Sequence, residues 1–157
     1  MSDAYRDAVA LLARRPLTRR EVVARLLAKH HEAGAVEDAV ERLAVAKAID
    51  DAALARHWIA TQAASRGRGR ERVVATLVAR GVDEAVAESA WSDAVADDTL
   101  DEAGVLARAV RRRLGAPGRA VPMPRLARVY NALLSEGFAG DELAAALAPY
   151  GFQRDDP

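Results

Sequence analysis

The chain has 157 residues, with 23 cationic side chains, 23 anionic side chains and no cysteine. This length fits one domain or one compact repeat array, and the lack of cysteine excludes disulfides and thiolate metal sites. No run of about 18 apolar residues is present and no secretory signal peptide opens the chain, so we expect a cytoplasmic protein without a membrane partner.

The composition predicts an all-α protein. Apolar residues make up 51% of the chain and aromatic residues only 4%. The abundant alanine, leucine, arginine and glutamate are good helix formers.

Three helices are predicted in the first third of the chain. The first ends before Pro16, where helical apolar spacing stops. Thr18 and Glu21 form a capping-box pattern that starts the second helix, and the loop at 30–34 separates it from the third. The apolar positions of these helices are Tyr5, Ala8, Val9 and Leu12; Val22, Val23, Leu26 and Leu27; and Val36, Ala39, Val40 and Leu43.

Three more helices are predicted in the middle third. Asp50 and Asp51 begin the fourth helix, because a carboxylate there can cap backbone amides. Gly67 and Gly69 separate the fourth helix from the fifth, and Gly81 fits the left-handed position after a helix end. The apolar positions are Leu54, Trp58 and Ile59; Val73, Val74 and Leu77; and Val86, Ala90 and Trp91.

The last third shows a similar arrangement. Asp97 and Asp98 repeat the double aspartate and predict the start of the seventh helix. Residues 115–124 are rich in proline and glycine and predict a linker. Pro149 ends the ninth helix. The apolar positions are Ala103, Leu106, Val110 and Leu114; Leu126, Val129, Tyr130 and Leu133; and Leu143, Ala146 and Leu147.

The chain resembles itself at a spacing of about 50 residues. The segment 21–29 matches 72–80 after 51 positions, and the apolar pattern of 73–82 recurs after 56 positions. Such a period is typical of a repeat array. We therefore predict an elongated, curved array of three stacked three-helix repeats, because one group of about 45 residues buries too little surface alone. The predicted repeats are residues 3–48, 50–96 and 97–152.

Charges alternate in sign along the chain in phase with this repeat. Residues 61–82 carry five cations and one anion, residues 83–104 carry eight anions and no cation, and residues 105–130 carry seven cations and no anion. Such bands can steer a charged partner. Alternatively, opposite bands simply pair between neighbouring helices.

The sequence contains no recognisable catalytic constellation. The segment His30-His31-Glu32 is read more simply as a solvated turn than as a metal site, because adjacent loop residues do not converge. The double aspartates at 50–51 and 97–98 are read as helix caps rather than as a magnesium site. Gly67-Arg68-Gly69 lacks the preceding strand of a dinucleotide-binding loop. We expect no enzyme activity, no metal and no cofactor.

Arginine clusters are the strongest candidates for a binding surface, because planar guanidinium groups suit phosphate or carboxylate partners. A run of charges can also be only a solvated face. On the fifth helix, Arg68, Arg72 and Arg80 are expected to share one line opposite the core. The candidate partner- or DNA-binding residues are Arg66, Arg68, Arg70, Arg72, Arg80, Arg108, Arg111, Arg112 and Arg113.

Nine short segments between residues 11 and 138 stand in a characteristic order, within a resemblance that extends over residues 4 to 152. They are Leu11-Leu12-Ala13-Arg14-Arg15, Thr18-Arg19-Arg20-Glu21, Leu26-Leu27-Ala28-Lys29, Ile49-Asp50-Asp51, Ala55-Arg56, Trp58-Ile59, Ser65-Arg66-Gly67-Arg68-Gly69, Leu77-Val78-Ala79-Arg80-Gly81-Val82 and Ser135-Glu136-Gly137-Phe138. By the order and spacing of these segments the chain resembles the RecX family, bacterial regulators of the RecA recombinase. It departs from the family pattern at His30-His31, at Leu54 and in the proline content of the linker.

The resemblance implies tandem three-helix repeats without catalytic activity that bind RecA or its nucleoprotein filament. It also implies modulation, usually inhibition, of recombinase, ATPase and coprotease functions in DNA repair and the SOS response. Single- or double-stranded DNA is a further candidate partner, and a monomer is expected. The alternative is a helical regulator that reads DNA directly, with short helices after capped turns. A third reading is an interaction scaffold for an unrelated partner.

Overall fold

The computed structural model describes residues 3–153, which form helices and connecting turns without any β-strand. The all-α prediction is therefore confirmed. The α-helices of this part of the chain are α1 Asp3–Leu12, α2 Arg19–Ala28, α3 Ala33–Val45, α4 Asp51–Ile59, α5 Arg70–Arg80, α6 Glu84–Ala96, α7 Glu102–Leu114, α8 Met123–Ser135 and α9 Gly140–Leu147. None of them is long and apolar enough to cross a membrane.

The described chain divides into two compact units. The first contains residues 3–57 and 76–90, and the second contains residues 58–75 and 91–153. Helices α4, α5 and α6 each contribute residues to both units.

The core of the first unit is formed by α1, α2 and α3. It buries the apolar positions predicted for α3, whereas Val9 and Leu27 remain 44% and 46% exposed. Full burial of a valine or leucine side chain, as at the buried positions of α3, stabilises the fold by about 1.5 to 3 kcal/mol. The core residues are Ala8, Leu17, Val22, Leu26, Val36, Val40, Leu43 and Ile49.

The predicted capping box at the start of α2 is confirmed. The Thr18 hydroxyl oxygen accepts a hydrogen bond from the Glu21 backbone N–H at 3.1 Å, and the Glu21 carboxylate accepts one from the Thr18 N–H at 3.0 Å. Thr18 is completely buried, and its hydroxyl donates to the Arg80 carbonyl at 2.7 Å. The cap therefore joins the turn before α2 to the C-terminal end of α5.

The second unit has its own core, built largely on α7, α8 and α9. Its most deeply buried side chains include Trp91, Leu126, Leu133, Leu143 and Leu147. The Tyr150 hydroxyl donates to the Gly115 carbonyl at 2.7 Å and so holds one end of the predicted linker. Tyr130 stacks on Phe152 with ring centres 5.1 Å apart.

In the second unit, the turn before α5 contacts the turn after α8. The Gly69 N–H donates to the Glu136 carbonyl at 2.9 Å, and the Glu71 N–H donates to the Gly137 carbonyl at 3.1 Å. Gly69 lies 51 positions after Thr18, and Glu136 lies 56 positions after Arg80. The Thr18–Arg80 contact of the first unit and this contact of the second unit thus stand at the spacings by which the sequence repeats.

The predicted start of the seventh helix at Asp97 and Asp98 is wrong. Helix α6 continues to Ala96, and the Asp97 carboxylate then accepts a hydrogen bond from the Thr99 N–H at 3.0 Å. Asp98 adopts a φ of 59°, which aspartate tolerates better than most residues. The N-cap of α7 is instead Asp101, whose carboxylate accepts from the Gly104 N–H at 2.8 Å. The two aspartates end one helix rather than begin the next.

Three smaller expectations also needed correction. Helix α4 continues as a π-helical segment, Ala60–Ser65, which the sequence did not indicate. Helix α8 already begins at Met123, inside the predicted linker 115–124, because a proline in the first turn lacks only an N–H that would have no helical partner. On α7, Ala103 is exposed and Leu114 only half-buried, whereas Val105, Leu106, Ala109 and Val110 are buried.

Candidate partner-binding surface

Three arginines of α7 lie on its outer face. Residues at 105, 106, 109 and 110 occupy the buried face at helical spacing. Arg111 falls opposite this face and Arg108 and Arg112 lie towards its flank, and all three are exposed. No salt bridge joins any of the three to a carboxylate within residues 3–153.

The turn between the π-helical segment and α5 lies against this arginine face. The Gly67 N–H donates to the Ala63 carbonyl and the Arg68 N–H donates to the Gln62 carbonyl, both at 3.0 Å. Gly67 has a φ of 65°, and a Cβ atom on it would lie 2.5 Å from Nη2 of Arg112. The turn thus needs glycine both for its backbone conformation and for the close approach of Arg112.

A cavity of about 480 Å³ opens between this turn and α7. No carboxylate contributes to its lining. The lining residues are Ala64, Ser65, Gly67, Val105, Arg108, Arg111 and Arg112. We name this space the arginine cavity. It brings the turn before α5, which starts a first arginine cluster at residues 66–72, next to a second cluster at residues 108–113 of α7.

The remaining arginines of the first cluster lie around the start of α5. Arg66, Arg70 and Arg72 are exposed and Arg68 is half-buried. The Arg72 guanidinium donates to the Ser135 carbonyl at 3.1 Å and so supports the turn after α8. Arg68 precedes α5, which begins at Arg70, and therefore does not share a helical line with Arg72.

The charge of Arg70 reaches the carboxyl of Glu142. Burial raises the pKa of Glu142 above its usual value, and the carboxylates of Glu102 and Asp141 raise it further. Arg70 opposes these effects without cancelling them. Arg70 therefore partly neutralises an acidic neighbour in its own unit.

Arg80 and Arg113 form ion pairs within the fold. In the first unit, Nε and Nη2 of Arg80 bind the two carboxylate oxygens of Glu21, each at 3.0 Å. The Arg80 side chain is only 17% exposed, so its expected place on an outward line of α5 is wrong. In the second unit, Nη2 of Arg113 binds the Glu136 carboxylate at 2.5 Å. Both guanidiniums connect elements that are distant in sequence.

The Arg80 pair also changes the acidity of Glu21. Burial raises the pKa of this carboxyl, but hydrogen bonds from Arg80 and from the Thr18 N–H outweigh burial and hold the pKa below its usual range. Glu21 is therefore a carboxylate stabilised by its partners in the folded chain.

Two arginines that the sequence analysis did not select lie near Arg113. Arg125 and Arg128 line a second cavity, of about 320 Å³, with Arg113, Val129 and Ala132. Both belong to the basic band 105–130, but each stands alone in the sequence rather than in a cluster. The band was the available signal, and only the fold brings these side chains close to α7.

Two family models match the chain. The model described as the first three-helix domain of RecX matches residues 4–43, and the model of the second three-helix domain of RecX matches residues 50–90. The regulatory protein RecX of Halorhodospira halophila is 37% identical over 155 residues, covering 94% of this chain and 88% of that protein. The regulatory protein RecX of Chromohalobacter salexigens is 32% identical over 142 residues, covering 90% of this chain and 89% of that protein.

Solved structures are similar in fold. The crystal structure of RecX from Lactobacillus salivarius aligns with a TM-score of 0.76 at 19% identity and covers 94% of both chains. A second crystal structure of a regulatory protein RecX aligns with a TM-score of 0.71 at 21% identity, over 88% of this chain and 67% of that one. These similarities agree with a tandem three-helix architecture.

Proposed function

This chain belongs to the RecX family, and we propose that it binds the RecA nucleoprotein filament and inhibits its recombinase, ATPase and coprotease activities. The relatives that it matches are named regulatory proteins, which supports action through binding rather than through catalysis. Its place would then be in DNA repair and the SOS response, in the cytoplasm, as a protein that needs no cofactor.

The arginine face of α7 is the observation that most directly supports a charged partner. Three guanidinium groups on neighbouring turns have no carboxylate partner within residues 3–153, although acidic side chains are as numerous as basic ones in the whole chain. Unpaired charges on one face steer association and favour a partner of opposite sign. The filament offers both acidic protein surface and DNA phosphate.

Of the nine arginines selected from the sequence, we propose five as the main contacts. Arg66, Arg68, Arg108, Arg111 and Arg112 have no ion pair within residues 3–153. Arg70 and Arg72 are exposed beside them and are proposed as peripheral contacts. Arg80 and Arg113 are proposed to act indirectly, since their guanidiniums hold Glu21 and Glu136.

The test is inhibition of RecA by a charge-reversed variant. The combined change Arg108→Glu, Arg111→Glu and Arg112→Glu removes the face without breaking any salt bridge in residues 3–153. We expect strand exchange and DNA-dependent ATP hydrolysis by RecA to proceed as if no inhibitor were present. The matched control reverses Arg119, Arg125 and Arg128, which changes the net charge equally.

Circular dichroism should show the same helical content in both variants and in the wild type. If the folded α7 variant inhibits as well as the wild type does, the proposed surface is wrong. If the wild-type protein changes neither strand exchange nor ATP hydrolysis by RecA at all concentrations tested, the proposed function itself is wrong.

A regulator that acts on DNA directly is the second candidate. The arginine cavity favours it, because arginines without neighbouring carboxylates are suited to phosphate contacts. This candidate predicts that the protein binds duplex DNA tightly in the absence of recombinase. Binding that is weak at physiological salt but strong on the RecA filament would reject it.

A further inference from the structure

We propose that the arginine cavity is an oxyanion pocket that takes one phosphate group of a single-stranded DNA nucleotide. The inference rests on the proposed function, since the exposed strand would be the one that RecA holds. It adds the chemical class of the ligand and the place where the ligand is bound.

The charge around the cavity suits an oxyanion. Arg108, Arg111 and Arg112 lie at i, i+3 and i+4 on α7, a spacing that places their side chains on one face. Guanidinium groups are planar and always charged, and they bind phosphate oxygens through two parallel N–H donors. The lining holds no carboxylate that would compete with an incoming anion.

The shape and floor of the cavity favour a nucleotide over an acidic side chain. A volume of about 480 Å³ falls in the range of pockets that take small organic molecules, roughly 300 to 1,000 Å³. A carboxylate on a short aliphatic stem would leave most of this space unfilled. Ala64 gives a small exposed apolar surface for a sugar, and Ser65 adds a hydroxyl of the kind that commonly contacts phosphates.

The backbone around the cavity has a conformation that the fold must support. The π-helical segment Ala60–Ser65 widens the end of α4, and such segments are frequent at functional sites. Gly67 lets the Arg112 guanidinium lie over the turn, where a side chain would displace it. The position of Arg112 therefore depends on the absence of a Cβ atom at residue 67.

Gly67→Ala therefore changes the pocket without changing any charge. An added methyl group would meet only the far end of the Arg112 side chain, so Arg112 can move aside. Gly115→Ala is the matched control, because Gly115 has a similar φ of 77° and no atom within 4 Å of an added Cβ. Both substitutions place alanine at a positive φ, and only the first displaces an arginine.

The experiment measures binding of fluorescein-labelled oligothymidylate without a terminal phosphate, by anisotropy, at several salt concentrations and without RecA. We expect Arg108→Gln, Arg111→Gln and Arg112→Gln together to weaken binding at least about tenfold. Because one phosphate occupies the pocket, the slope of log affinity against log salt should change by about 0.7. Gly67→Ala should weaken binding about threefold without changing this slope, whereas Gly115→Ala should bind as the wild type does.

Several results would refute the proposal that the arginine cavity binds a phosphate of single-stranded DNA. Equal losses in the α7 variant and in Arg119→Gln, Arg125→Gln, Arg128→Gln would mean that only net charge matters. A slope change of about 2 would mean that each arginine contacts its own phosphate on an open surface. Tighter binding of labelled polyglutamate than of oligothymidylate would assign the cavity to acidic protein.

Free ATP distinguishes the source of the phosphate. If oligothymidylate binds and ATP displaces it, the result supports the pocket. If ATP binds and oligothymidylate does not, the cavity is still a phosphate site, but its ligand is a free nucleotide. Absence of binding to both ligands overturns it. Inhibition of RecA by the same variants is measured separately, so that the pocket can fail while the proposed function stands.

Discussion

Substitution of Gly137 tests how closely the turn after α8 approaches the start of α5. Gly137 has a φ of 94°, and a Cβ atom on it would lie close to the backbone nitrogen of Arg72 and 2.6 Å from its Cβ. Gly151 has a φ of 93° but no atom within 4 Å of an added Cβ. Gly137→Ala and Gly151→Ala therefore carry the same backbone strain and differ only in steric contact.

The strain shared by both variants costs about 1 to 2 kcal/mol, the usual penalty for an alanine in the left-handed region. Gly137→Ala must also push the turn away from α5, where backbone atoms cannot rotate aside. This movement weakens the Gly69–Glu136 and Glu71–Gly137 hydrogen bonds, each worth roughly 0.5 to 1.5 kcal/mol. We expect Gly137→Ala to lower the free energy of unfolding by about 3 to 4 kcal/mol and Gly151→Ala by about 1 to 2.

Urea denaturation followed by circular dichroism at 222 nm measures both values. At this chain length, a difference of about 2 kcal/mol should also separate the melting temperatures by about 4 to 8 °C. If the two variants are equally stable, the turn after α8 does not press on α5, and the contact described for the second unit is wrong.

The Arg80–Glu21 pair should stabilise the first unit by about 1 to 2 kcal/mol in a double-mutant cycle of Arg80→Met and Glu21→Gln, between the values typical of surface and buried pairs; a coupling near zero would contradict the geometry. Because the folded pKa of Glu21 is depressed, this stability is present above the ordinary value of 4.5 and is lost as pH falls through the folded pKa, a dependence that Glu21→Gln should reduce in denaturation curves below about pH 4.5. Asp101→Ala should lower the free energy of unfolding by about 1 kcal/mol because it removes the N-cap of α7, whereas Asp98→Ala leaves this cap in place. Equal loss of hydrogen-exchange protection at the start of α7 in the two variants would refute that assignment. His30→Gly should raise the melting temperature slightly, by relieving a φ of 64°, and a lower value would show that the imidazole contributes contacts.

Local capping and the repeat spacing could be predicted from the sequence. The Thr18–Glu21 capping box is formed by two residues only three positions apart. Gly81 and Gly137 have the positive φ that is expected of a glycine directly after a helix. The 51-residue spacing also aligns His30 with Gly81, and His30 shares its positive φ. These features depend on short-range geometry, which adjacent residues specify.

Features that depend on distant residues could not be predicted in this way. Arg80 and Glu21 are 59 positions apart, and nothing near Arg80 marks it as paired rather than free. Asp98 and Asp101 show a second difficulty, because aspartate both ends helices in turns and begins them as a cap. The π-helical segment has the composition of an ordinary helix, so the residues within it do not mark the change of helix type.

Direct binding to the recombinase filament tests the central claim most plainly. RecA would be assembled on single-stranded DNA with ATP, and its binding to labelled wild-type protein and to the Arg108→Glu, Arg111→Glu, Arg112→Glu variant would be measured at physiological salt. The RecX assignment predicts saturable binding of the wild type, slower strand exchange at the same concentrations, and loss of both in the variant. The assignment would be contradicted if intact filaments did not bind the wild-type protein and carried out strand exchange at the same rate in its presence.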